Sequence, residues 1–280
     1  MKNKNLKERI LEKAANCRHF EEQVFENVKK KIIKFPVYLS AGQELAPATL
    51  SEIILNQLKV KPLIFAQHRA HSTYLSFDGN IERLIYELLG DKRGCAFGMG
   101  GSASLHDPNI NMFGHDGHMG TQVPIGVGAC FVSKKPTIIF MGDASAEEDY
   151  VLGALGWAST KKLPVLFVVE DNNFSILTKK KIRRNWHMHD VARSFKMNAF
   201  NISDDPDQII KLKNNFFKKT TLLNINTKRL FWHSGAGQDS KNTFDRYKSE
   251  IKKMGKLGNM INAESKLKIA KIWKKILDKQ

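Results

Sequence analysis

Apolar positions along the chain fall into short runs set between longer amphipathic stretches. Residues 137–141 and 165–169 are rich in β-branched side chains and too short for helices, which predicts buried parallel strands. Residues 61–66, with Leu63, Ile64 and Phe65, and residues 199–202 and 221–227 read as further strands. Between them the spacing turns helical. Ile10, Leu11, Ala14, Phe20, Val24 and Val28 give residues 5–34 one or two amphipathic helices, ended by Phe35-Pro36. Helices are expected over 43–58, over 80–89 with Gly90 as C-cap, and over 123–132. Another is expected over 147–160, where Ser145 and Glu148 fit a capping box. Val151, Leu152, Leu155 and Trp157 make that helix apolar nearly all round, so it should be buried on more than one side. Residues 190–197 and 206–218 follow, the latter with Asp205 as N-cap and Pro206 in its first turn. Residues 94–120 are glycine-rich and too irregular for either element; a loop this long in a compact domain is usually functional.

Alternating strands and helices predict an α/β fold, a mostly parallel sheet with helices on both faces. The division expected is residues 1–240 as that domain with N-terminal helices, and 241–280 as a basic helical extension with Ile269, Ile272, Trp273 and Ile276 on one face. No internal repeat breaks the pattern.

Composition narrows the class. At 280 residues and 42% hydrophobic content the chain can bury a sizeable core. No apolar run reaches the roughly 18–20 residues that span a bilayer, so no membrane partner is expected. The N-terminus lacks a signal-like apolar stretch and reads as the start of the protein. Cys17, Cys95 and Cys130 are scattered without metal spacing, which suggests structural thiols and a cytoplasmic location. Net charge is +17, and residues 241–280 hold twelve Lys or Arg against four acids. Nucleic acid is one possible use of that charge. The abundance of Lys, Asn and Ile is the simpler explanation, and no aromatic-studded basic groove supports nucleic acid.

The chemistry sits at strand ends. If the strands before Gly142-Asp143 and Asp171-Asn172 flank a right-handed crossover, both turns lie on one edge of the sheet. One charged and one neutral oxygen ligand suit a hard cation such as Mg²⁺. The helix start beside them offers N–H groups to an anion. Metal plus anion at a strand edge points to a diphosphate-containing ligand, against the plain reading of two polar turns. Three more loops should converge there: 68–71, 98–120 and 233–239.

The ordered set resembles a known family. Gly142-Asp143 followed by Asn172 resembles the thiamine diphosphate signature, Gly-Asp-Gly then Asn about thirty residues on. Gly42-Gln43-Glu44, His68-Arg69-Ala70-His71, Ser102-Ala103-Ser104-Leu105-His106, Gly117 through Gly126, and Thr227 through His233-Ser234 are similar, in order, to segments of one family. That family is the alpha subunit of the thiamine-dependent component of 2-oxoacid dehydrogenases, pyruvate and acetoin dehydrogenases included. The resemblance implies a thiamine diphosphate-binding fold, with Mg²⁺ held by the Asp143 and Asn172 side chains and the Phe174 carbonyl. It implies Arg69 on the diphosphate, N–H groups from Ala144 and Ser145, and Gly117 and Met119 at the aminopyrimidine. His233 would lie near the reacting carbon, with His106 a second candidate at the same mouth. His68 is counted with the cofactor-binding residues, although local hydrogen bonding also accounts for it, as it does for His71, His115 and His118.

The departures are Ala144 for the third glycine of the signature, Asp171 for the first Asn of a pair, and His68 for a Tyr. No glutamate here is a convincing activator of the cofactor; in the family it comes from a separate beta subunit. The expected assembly is therefore alpha2beta2, acting on a small oxo substrate and passing an acyl group to a lipoyl-bearing acyltransferase. A non-oxidative two-chain enzyme, transketolase-like or acyloin-forming, is the alternative.

Overall fold

The computed structural model describes residues 4–114, 117–239 and 243–279; His115 lies outside them. Among the described residues the strands are β1 (Leu63–Phe65), β2 (Met112–Phe113), β3 (Thr137–Gly142), β4 (Val165–Asp171), β5 (Phe174–Ser175), β6 (Thr178–Lys179), β7 (Asn198–Ser203) and β8 (Thr221–Asn226). Six form one sheet in the order β2-β1-β3-β4-β8-β7, every pairing parallel, while β5 and β6 make a small antiparallel hairpin. The chain leaves β1 for β2 on one side and returns to β3 on the other. The strand order therefore reverses there, and a crevice opens outside the carboxyl ends of β1 and β3.

Helices cover both faces, as the periodicity predicts. Ile138 and Phe140 of β3, Leu166 and Val168 of β4, and Leu223 and Ile225 of β8 pack on one side. They meet α1 (Leu6–Lys29), α2 (Leu45–Ser51), α4 (Ile81–Leu88), α9 (Pro206–Lys211) and α10 (Arg246–Leu277). Ile139, Met141, Phe167, Val169 and Leu222 face α5 (Gln122–Ser133), α6 (Asp149–Thr160) and α8 (Met188–Ser194), and two short helices, α3 (His71–Ser76) and α7 (Lys180–Arg183), follow β1 and β6. All seven residues of β4 are buried, which is why that strand reads as a continuous apolar run rather than an alternation.

Several expectations are corrected. The helix over 43–58 is α2 followed by a π-helical turn, Glu52–Gln57. The segment 94–120 contains a strand, β2, at the sheet edge. Two residues are too few to show alternation, which is why it went unread. No capping box forms at Ser145: a 3-10 turn, Ser145–Glu147, leads to an extended Glu148, and α6 begins at Asp149 without a side-chain cap. In α6, expected to be buried on more than one side, Val151, Ala154, Leu155 and Ala158 are buried while Tyr150 and Trp157 are 37% and 40% exposed. The helix over 206–218 stops at Lys211, with Asp205 capping it as expected.

The C-terminal helix joins the main core. Ile269, Trp273 and Ile276 are buried against α1, and the Trp273 and Phe20 rings lie 5.7 Å apart. Arg18 pairs with Asp245 at 2.7 Å just ahead of the helix. A break at Gly255, with φ 57° and ψ −128°, bends it. No helix among the described residues is long and apolar enough to cross a membrane.

Candidate functional site

At the crevice lies a cavity of about 310 Å³. The turns after β1, β3 and β4, the loop after β8 and the glycine-rich segment all reach it. His68, Arg69, Gly117, Met119, Asp143, Ala144, Ser145, Asn172, Phe174 and His233 line it together, with Tyr38, Gln67 and Arg229 among its other walls. His106 does not. It is exposed and lies edge-on to Phe113 with centroids 5.8 Å apart; of residues 98–106 only Ala103 lines the cavity. The correction is geometric: three residues beyond Ala103 the chain has already turned toward the sheet edge.

The turn chemistry resolves the Ala144 departure. Ala144 has φ −74° and ψ −42°, so the signature turn avoids positive φ and a methyl fits. Gly42 is different, with φ +96° and an added Cβ falling 2.1 Å from the Lys228 carbonyl oxygen. Only glycine lets the Gly42-Gln43-Glu44 turn meet the β8 exit so closely. Gln43 Oε1 then accepts from Asn172 Nδ2 at 3.0 Å, tying the N-terminal turn to the β4 exit.

Charge is unevenly satisfied. Arg69 is 3% exposed and donates to the Leu39 carbonyl at 2.7 Å and the His233 carbonyl at 3.2 Å. It makes no ion pair among the described residues, and burial, then neighbouring Arg229, pull it down to about 10. A buried guanidinium without an anion is costly, and a bound anion removes that cost. His233 is pulled down to about 4 by burial and by Arg69 and Arg229, so it is neutral near pH 7. Its ring and those of His68 and Tyr38 pack within 5.5 Å of one another, centroid to centroid. Glu170 is buried behind the site, accepts from Gln67, and is pushed up to about 7 by burial.

Asp143 is 1% exposed and is pushed up to about 6 by burial and by Asp171, against the pull of Arg183. Its Oδ2 accepts from Arg183 at 2.5 Å, and its Oδ1 is buried with no hydrogen-bond partner. Asn172 Oδ1 accepts from the Phe174 N–H at 3.1 Å and keeps a second lone pair. Asp143, Asn172 and Phe174 border the same cavity, and carboxylate and amide oxygens are donors that a hard cation accepts.

Other residues were not anticipated. In the basic stretch 179–184, whose charge alone suggests a surface loop, Lys180, Arg183 and Arg184 turn inward while Lys179, Lys181 and Ile182 stay exposed. Lys180 pairs with Asp171, Arg183 with Asp143 and Glu147, and Arg184 is 8% exposed. Nothing in a run of basic residues distinguishes a solvated loop from this. Behind the cavity wall, Glu87 is fully buried and accepts four backbone N–H groups, from Ala96, Gly98, Gly100 and Gly101, at 2.7–3.0 Å. His71 links Glu21, at 3.1 Å, to Ser102, at 2.8 Å, the local hydrogen bonding expected of it.

A model of the family "Dehydrogenase E1 component" matches residues 12–256. Among curated proteins, the chain is 31% identical over 155 residues to the mitochondrial pyruvate dehydrogenase E1 component subunit alpha-1 of Oryza sativa subsp. japonica; the match covers 54% of this chain and 39% of that protein. It is 30% identical over 193 residues to the pyruvate dehydrogenase E1 component subunit alpha of Rickettsia typhi, covering 66% of this chain and 57% of that one. The chain thus spans roughly two to three fifths of these relatives. Of solved structures, transketolase from Leishmania mexicana superposes with a TM-score of 0.58 at 13% identity, over 96% of this chain and 47% of that one, a likeness of fold.

Proposed function

The chain belongs to the dehydrogenase E1 component family, and on that premise we propose that it is the alpha subunit of a thiamine diphosphate-dependent 2-oxoacid dehydrogenase of the pyruvate dehydrogenase type. The observation that carries this reading is a pair of incomplete charges on one cavity. Arg69 is buried without an anion, and Asp143 is buried with one oxygen unpartnered. A diphosphate and a divalent cation satisfy both together, and the residues present fit the pair.

In this reading Arg69 grips the diphosphate, and the Ala144 and Ser145 N–H groups face it. Asp143, Asn172 and the Phe174 carbonyl hold Mg²⁺. Gly117 and Met119 border the aminopyrimidine, and His68 lies beside Arg69. When bound, the cofactor would supply an acidic carbon that is nucleophilic once deprotonated and an electron sink for loss of carbon dioxide from a 2-oxo acid. His233, neutral at pH 7, is available to accept or donate a hydrogen bond at the reacting group. A beta subunit provides the activating glutamate in an alpha2beta2 assembly, and a lipoyl-bearing acyltransferase receives the acyl group. Three buried, unpaired thiols suit a cytoplasmic setting.

Calorimetry on the complex with its co-purifying partner tests the proposal. Thiamine diphosphate should bind only with Mg²⁺ present, and 2-oxo acid turnover should appear in the complex and not in this chain alone. Absence of binding in the complex sinks the reading; turnover by the chain alone sinks the two-chain part of it.

A further inference from the structure

The two carboxylate oxygens of Asp143 have unlike surroundings. Oδ2 accepts from Arg183 Nη2 at 2.5 Å, while Oδ1 is buried without a partner. Arg183 is itself fixed from two further sides. Its Nε donates to Glu147 at 3.2 Å and its Nη1 to the Thr178 carbonyl at 2.8 Å, and its side chain is only 13% exposed. Neighbouring contacts pin the same segment. Lys180 pairs with Asp171, and the Arg184 guanidinium lies 4.5 Å over the Trp186 ring.

We propose that Arg183 makes Asp143 a one-oxygen ligand and thereby sets the site's preference for a small octahedral cation over a larger one. The inference rests on the cofactor reading above. Mg²⁺ demands a tight octahedron and takes single oxygens, whereas Ca²⁺ accepts six to eight ligands and readily takes both oxygens of one carboxylate. A carboxylate with one oxygen held by a rigid guanidinium offers a cation only the other. The remaining donors do not restore a chelate. Asn172 has a single side-chain oxygen, and the Asp171 carboxylate is engaged by Lys180 and Asn224. The guanidinium's repulsion of a cation is offset by Glu147, which pairs with Arg183 at 3.1 Å and Arg184 at 3.5 Å. Arg183 is a positioning residue: it touches the ligand, not the metal.

The experiment is a calorimetric titration of the purified complex, with thiamine diphosphate present, by Mg²⁺ and separately by Ca²⁺. Wild type should half-saturate at lower Mg²⁺ than Ca²⁺. In Arg183→Gln the half-saturating Mg²⁺ should rise about tenfold, as loss of an outer-shell partner typically does. The Ca²⁺ value should change less, so the two metals draw together, while thiamine diphosphate affinity at saturating Mg²⁺ stays near wild type. Arg183→Lys should restore part of the discrimination. A loss of fold alone would weaken all three constants in step. If Arg183→Gln does not fold, Arg183→Met, which keeps the apolar stem and removes the guanidinium, should narrow the ratio in the same direction. An unchanged metal ratio in the folded variant overturns the inference, and so does tighter Mg²⁺ binding, which would make Arg183 a competitor for the site. Failure of wild type to bind the cofactor with either metal overturns the functional reading itself.

Discussion

Removing the Asp143 carboxylate takes away the unpartnered oxygen and leaves Arg183 facing an empty space. Asp143→Ala is expected to abolish Mg²⁺-dependent cofactor binding in the complex, read by calorimetry; unchanged affinity would reassign the metal ligand. His233→Ala should leave that binding intact and lower turnover, and full activity would remove His233 from the mechanism. The imidazole also makes a pH prediction. Its folded pKa, about 4, lies below the ordinary value of 6.5. As pH falls from 6.5 toward 4 the unfolded chain takes a proton that the folded chain refuses, so this group's stabilising contribution is present above pH 6.5 and lost on acidification. His233→Gln should therefore lose less melting temperature than wild type across that interval, and parallel curves would show that the depression is not real. At this scale most of the residues that line the cavity were legible in the sequence, because the ordered motifs name residue types and spacings directly. Arg183 and Glu87 were not, since a basic run and a helical glutamate have unremarkable exposed uses.

At the scale of elements, the glycine-rich segment and the last helix show how much of the fold is built by partners distant in sequence. Glu87 on α4 satisfies four loop N–H groups at once, which no local pattern announces. Glu87→Ala removes the carboxylate from those part-buried donors, and each group left unsatisfied costs on the order of 1–3 kcal/mol. The variant should unfold at clearly lower urea and lose cofactor affinity through the Ala103 wall; wild-type midpoints would show the loop to be self-supporting. On α10, Trp273 is 1% exposed against Phe20. Trp273→Ala should cost about 3–5 kcal/mol in urea unfolding. A loss below about 1 kcal/mol would mean the helix is a peripheral appendage after all. Strands β3 and β4 were legible because buried β-branched runs have few other uses. Ser145 does not cap α6 because Ser145–Glu147 closes as a 3-10 turn and Glu148 is extended, so the helix starts four residues beyond the serine.

For the whole molecule, the order β2-β1-β3-β4-β8-β7 is what brings the β1, β3, β4 and β8 exits to one edge. Local chemistry and element type followed from the sequence alone. Hydrophobic period distinguishes strand from helix, and the ordered turns Gly42-Gln43-Glu44, His68-Arg69, Gly142-Asp143 and Asn172 carry a ligand's requirements in their residue types. Tertiary structure alone decided which charges are left incomplete. Arg69 has only carbonyl and ring partners among the described residues, at Leu39 and His233, and Asp143 keeps one unpartnered oxygen because Arg183 folds in to hold only the other. The physical reason is that pairing depends on distance in space, whereas the sequence records only distance along the chain.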